Sequence, residues 1–143
     1  MTKKYWLKIE KIENISYLVE EGYLGLAWKV IFKSDDEQNY SILNLKEEES
    51  MIIYVRELMK FYLGRIINVK IGNEEKEDNW VHFIHLEPVN NNGFYIGKIE
   101  DWSELKQQLS FVKKYPNIGA ALNCSMRKIE EQDFMKIVDF FKR

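Results

Sequence analysis

Cysteine, proline, histidine and arginine are all scarce in this 143-residue chain, and each scarcity narrows what the protein can be. The single cysteine, Cys124, excludes an intramolecular disulfide and any multi-thiolate metal site within one chain. Such usage fits a reducing compartment, so a cytoplasmic protein is expected. Two prolines and no Gly/Ser-rich stretch leave no linker, and residues 1–143 read as a single domain. Long apolar runs are missing as well. No stretch approaches the roughly 18 apolar residues of a membrane span, and the N-terminus, which runs straight into an alternating pattern, is no signal peptide. Charge of one sign is not in excess: 21 basic against 23 acidic side chains give a net charge of −2. That balance provides no general pull toward nucleic acid or an anionic membrane.

What is present is globular. Apolar residues make up 45% of the chain, charged residues 31% and aromatics 14%, enough for one substantial core. Lysine far outnumbers arginine, and isoleucine and asparagine are abundant, a bias associated with AT-rich bacterial or phage genomes.

The most regular stretch is Ile118 to Met126, where Ile118, Ala120, Leu122, Cys124 and Met126 alternate with smaller or polar residues. Strict alternation predicts a strand with one buried face, and the small side chains on both sides predict a central one. Tyr5 to Val19 also reads as extended, with Glu20-Glu21-Gly22 as a turn whose glycine takes positive φ. Leu24 to Lys33 is the best strand of the N-terminal half. Ser34 to Asn39 is a polar loop, and Tyr40 to Leu43 a short third strand. Ile52, Val55, Met59 and Tyr62 lie at helical spacing, so a helix is predicted from Asn44 or Ser50 to Leu63, stopped by Gly64.

Strands follow at Arg65–Ile71, Trp80–Leu86 and Phe94–Ile99, the last two as a hairpin around Glu87–Gly93, with an acidic loop over Gly72–Asn79. Asp101 caps a second helix with Trp102, Leu105, Leu109 and Val112 inside, and Pro116 ends it. A final helix starts near Glu130 or Glu131 and buries Phe134, Ile137, Val138 and Phe141. The expected class is α+β: a mainly antiparallel sheet of six or seven strands with three helices packed on it.

No catalytic constellation stands out. His82 and His85 are three apart on a strand, hence on opposite faces, and no third metal ligand accompanies them. Cys124 falls on an apolar face, where a thiol is inert. No glycine pattern opens a helix as a phosphate cradle requires. Lys8, Lys11, Lys29 and Lys33 lie near Trp6 and Tyr23, but interspersed glutamates dilute any nucleic-acid surface. No cofactor, metal, nucleic-acid or membrane partner is therefore expected.

The remaining signal is acidic: Asp35, Asp36 and Glu37; Glu47, Glu48 and Glu49; Glu74, Glu75, Glu77 and Asp78; and Glu130 with Glu131. Gathered on one side, the first three runs would attract a basic partner, with Trp80 as an aromatic anchor. The sequence thus points to a non-enzymatic protein-binding module, an immunity-type inhibitor of a basic bacterial toxin or nuclease, monomeric or homodimeric. One alternative is a small-molecule or nucleotide-binding domain, or a minor enzyme, with a pocket near His82 or His85 and a carboxylate such as Glu87 or Glu100. The other is an oligomeric structural protein that self-associates through an exposed sheet face.

Overall fold

The structure, a computed structural model, describes residues 3–26, 33–34, 40, 42–72, 82–122 and 126–142. The fold is α+β, built on a curled, mostly antiparallel sheet. Its first strand, β1 (Tyr5–Glu10), is followed at once by the helix α1 (Ile12–Glu21). The extended reading of this stretch breaks at Lys11. Ile15 and Leu18, three apart, are the residues α1 buries, whereas Val19 is 53% exposed, so the helical period wins over the alternating one. Lys11 offers no capping side chain. Instead the carboxylate of Glu57 accepts the Ile12 N–H (2.6 Å), where a negative charge suits a helix start. Gly22 takes the expected positive φ, +79°, but it ends a helix, its N–H reaching the Leu18 carbonyl at 2.8 Å.

The strand β2 (Tyr23–Leu26) and the two-residue β3 (Lys33–Ser34) follow. Of the third strand expected at Tyr40–Leu43, Ser41 lies outside the described residues, Tyr40 is in an isolated bridge, and Ile42–Asn44 is a 3-10 turn. The helix expected before Gly64 is instead a hairpin of β4 (Ser50–Val55) and β5 (Lys60–Lys70). Met51 to Val55 are all buried, the continuous apolar pattern of a strand covered on both faces. Met59, at φ +56°, turns the chain.

β6 (His82–Pro88) and β7 (Tyr95–Lys98) do not form a hairpin. Both run antiparallel to β5, β6 along its second half and β7 along its first. They are one interrupted strand, with the segment around Asn90 and Gly93 looped out between them. The sheet order is β2-β6-β5-β4-β1 followed by β8 (Met126–Ile129) and β3, with β7 on β5 outside that path. β1 pairs in parallel with β4 and antiparallel with β8.

Among the described residues five α-helices rather than three accompany the sheet: α1, then α2 (Ser103–Lys106), α3 (Ser110–Lys113), α4 (Ile118–Ala121) and α5 (Glu131–Phe140). Asp101 does cap the second helical region, accepting the Ser103 N–H at 2.8 Å, and these bonds hold its carboxyl below the usual range. The stretch expected to be the central strand begins as α4. Asn117 caps it by accepting the Ala120 N–H (2.8 Å), and Ile118, Ala121 and Leu122 turn inward at spacings of three and four. Cys124 lies outside the described residues, and β8 starts only at Met126.

Two cores lie on the two faces of the sheet. One joins Trp6, Ile53, Tyr62, Ile66, Ile84 and Leu86 to Ile15 and Leu18 of α1. The other joins Leu7, Ile52, Tyr54, Phe61 and Leu63 to Leu105, Leu109, Phe111, Phe134 and Ile137 of the later helices. The second core presses Phe141 against Gly97, where a Cβ would fall inside the phenylalanine ring. Gly97→Ala should therefore cost about 1–3 kcal/mol through overpacking. In a Phe141→Ala background the same change should cost much less, as read by the denaturation midpoints of the four proteins.

Candidate functional site

Six charged or polar side chains are buried among the described residues: Lys8, Glu10, Glu49, His82, Arg127 and Asp133. Three of them hold the fold together. Glu49 accepts from the Trp6 indole (3.0 Å), the Lys4 N–H (2.9 Å) and the Lys46 N–H (2.8 Å). Asp133 accepts the Ser110 N–H (2.9 Å) and hydroxyl (2.6 Å), tying α5 to the start of α3. Arg127 donates to the Tyr115 hydroxyl (2.9 Å) and the Ala121 carbonyl (3.0 Å), and its guanidinium lies over the rings of Phe111 and Tyr115.

The other three also lie on the first core's side of the sheet, Lys8 and Glu10 level with Tyr62 and Lys60 of β5 and His82 past Lys70 at the other end of that strand. Trp6 belongs to that core, so the period of two places Lys8 and Glu10 on its side of β1. Ile84 and Leu86 place His82 on the same side of β6. Lys8 Nζ lies 3.1 Å from Glu10 Oε2, both side chains almost wholly buried. The other Glu10 oxygen accepts from the Lys11 N–H and the Asn14 amide, both at 3.0 Å. His82 is fully buried. Its Nδ1 accepts the Gly72 N–H at 3.1 Å, and its Nε2 has no partner among the described residues.

His85 points to the opposite face, as the spacing of three requires, and stacks on Tyr23 with centroids 4.2 Å apart. The carboxylates proposed to join the imidazoles do not. Glu87 pairs with Arg65 (Nε to Oε1, 2.8 Å), and Glu100 is exposed. Neither histidine lines the three open grooves. One, of about 400 Å³, runs between Lys3, Tyr5, Tyr40, Lys128 and Glu131. Burial, and then the neighbouring Glu131, raise the Tyr5 hydroxyl pKa there. A second, of about 460 Å³, lies between Asn91, Tyr95, Val138 and Phe141, and a third of similar volume beside Glu47 and Asn68.

Of the acidic residues singled out by sequence, Glu47 and Glu48 are exposed next to each other. Glu49 is a correction: it is buried and bonded inward, because the Trp6 indole and two backbone N–H groups need an acceptor there. Asp35, Asp36, Glu37, Glu74, Glu75, Glu77, Asp78 and Trp80 lie outside the described residues. Lys8 is likewise buried and belongs to no exposed basic surface. The sequence placed Lys8 among the lysines of a possible basic surface and did not single out Glu10. The signal for them was Trp6, since a strand face that begins with tryptophan is a buried one.

Among the described residues no cluster of three or more His, Cys, Asp or Glu side chains is placed to hold a metal ion. No described helix is long and apolar enough to cross a membrane. The chain is similar to the X-ray crystal structure of a Pseudomonas putida protein determined by the Northeast Structural Genomics Consortium. The two share 14% identity with a TM-score of 0.56, over 96% of this chain and 99% of that one. At that identity the likeness is one of fold. No protein-family model matches the chain, and no curated protein matches it.

Glu49→Ala should cost about 2–4 kcal/mol by stranding three donors, whereas Glu47→Ala should stay within about 0.5 kcal/mol. Urea denaturation of the two variants checks this directly.

Proposed function

We propose that the protein is a binding module for a small polar molecule of the nucleotide or heterocycle class, taken up beside the buried Lys8–Glu10 ion pair on the first core's side of the sheet. The observation behind this reading is the Lys8–Glu10 ion pair, buried on a face made mostly of apolar side chains. A buried ion pair is a poor way to gain stability, since desolvation consumes most of the Coulombic attraction. A hydrophobic replacement of similar volume would serve the core as well or better. A few polar groups set in an apolar lining are, by contrast, the usual composition of a ligand site.

A ligand present at about 100 times its Kd stabilises the folded state by about 2.7 kcal/mol. For a chain of this size that raises Tm by roughly 5–10 °C. A thermal-shift panel of nucleobases, nucleosides and small heterocycles should therefore contain hits. Lys8→Met should abolish those shifts while Glu47→Lys leaves them intact. A panel that stabilises nothing removes the reading.

Glu47 and Glu48 support a second reading, recognition of a basic protein such as a toxin or nuclease by an immunity-type inhibitor. Both are displayed on a turn fixed by the Glu48 N–H to Ile66 carbonyl bond and the Ile66 N–H to Glu49 carbonyl bond, each 2.8 Å. Here a basic partner recovered from the source cells should associate several-fold more slowly with the Glu47→Lys, Glu48→Lys double variant at low salt. The difference should shrink as ionic strength rises. Equal association rates at low salt would discard it.

A further inference from the structure

The helices of the second core cover only part of their side of the sheet. Among the described residues, none of those joined to them comes from β2 or β6. On these two strands Leu24, Ile84 and Leu86 belong to the first core. The period of two therefore turns Tyr23, Phe83, His85 and Glu87 to the other side. All four are half-buried. Tyr23 stacks on His85, meets Phe83 edge-on at a centroid distance of 6.2 Å, and lies 6.1 Å from the ring of Tyr17 on α1. Half-exposed rings on an uncovered sheet face are the material of protein interfaces, where tyrosine supplies large contact area.

The charges around these rings are mostly of one sign. Helical spacing places Glu13, Glu20 and Glu21 around Tyr17, and all three are exposed. Beyond His85, Glu87 holds Arg65, which also lies in the field of Glu48. Glu48 is exposed beside Glu47, which lines the third groove with Asn68, the neighbour of His85 on β5. Against these six carboxylates stand three described cations, Arg65, already paired, with Lys46 and Lys70. Such a surface complements a basic partner.

We infer that this uncovered part of the sheet is where a basic protein docks, with Tyr17 and Tyr23 as stacking anchors for its arginine side chains. The inference rests on the second reading above, recognition of a basic protein, and gives that reading a place on the molecule. A guanidinium group stacks on a phenol ring while carboxylates take its N–H bonds, so one residue type answers both features of the surface. Glu47 and Glu48 are then one margin of the surface and not its centre.

The probe is a capped hexa-arginine peptide, titrated into the wild-type protein at low salt and followed by ¹H–¹⁵N correlation. Saturable shifts are expected at Tyr17, Glu21, Tyr23, His85 and Glu87. Tyr23→Leu, which keeps apolar bulk, should weaken binding about two- to fivefold, the worth of one exposed cation–π contact. Glu21→Gln should weaken it too, whereas Glu104→Gln, the same loss of charge on α2, should not. Shifts centred elsewhere, equal weakening by the two glutamine variants, or no weakening by Tyr23→Leu overturns this inference and leaves the basic-partner reading standing. Movement of the same resonances on dilution of the protein alone, the mark of a second copy on this face, overturns it as well. No saturable shift anywhere overturns the placement and the reading together.

Discussion

Backbone pairing along β5 is the constraint on which the rest of the structure depends. One edge of this strand carries β4 over Lys60 to Arg65, and the other carries β7 and then β6. A register shift between Ile66 and Asn68 and another between Phe61 and Tyr62 let a single strand serve two partners in series on that edge. Bulges of this kind increase local twist, and the sheet that results is curled. Both cores take shape from it. Phe61 and Leu63 face the helices, while Tyr62 and Ile66 face the opposite side.

The α+β class was legible in the chain, and so were its best-punctuated elements. Gly22 turns the chain with positive φ, although it follows a helix and not the expected strand, Asp101 opens the second helical region, and Phe134 and Ile137 line α5, because each rests on local chemistry that no tertiary contact opposes. The errors share a different cause. Ser50 to Val55 is buried on both faces, so it shows no period of two, and chance spacing with Met59 and Tyr62 mimicked a helix. Ile118 to Leu122 holds Gly and Ala at alternating places, which suits a strand pattern and a short capped helix equally well. Periodicity alone cannot choose between those states over so few residues.

The candidate site was hardly legible in the sequence. The histidines drew attention, yet His85 stacks on Tyr23 and His82 lies past Lys70 at one end of β5, while the buried ion pair of Lys8 and Glu10 is level with Lys60 and Tyr62 at the other. The acidic runs drew attention because like charges stand out in a sequence. Glu49 shows why such runs mislead: adjacent residues on a turn face different surroundings, and one carboxylate of three became an internal acceptor. A charged side chain is informative where burial makes it costly, and burial is a property of the folded chain.

The place of β1 has a consequence for how the chain is assembled. Its parallel neighbour β4 lies 45 residues downstream, Tyr5 meeting Ser50, and its antiparallel neighbour begins only at Met126. Of the described strands, β1 is made earliest and is the one whose second edge waits longest for its partner. The β4–β5 hairpin can close from local sequence, whereas the middle of the sheet stays incomplete until almost the whole polypeptide has been made.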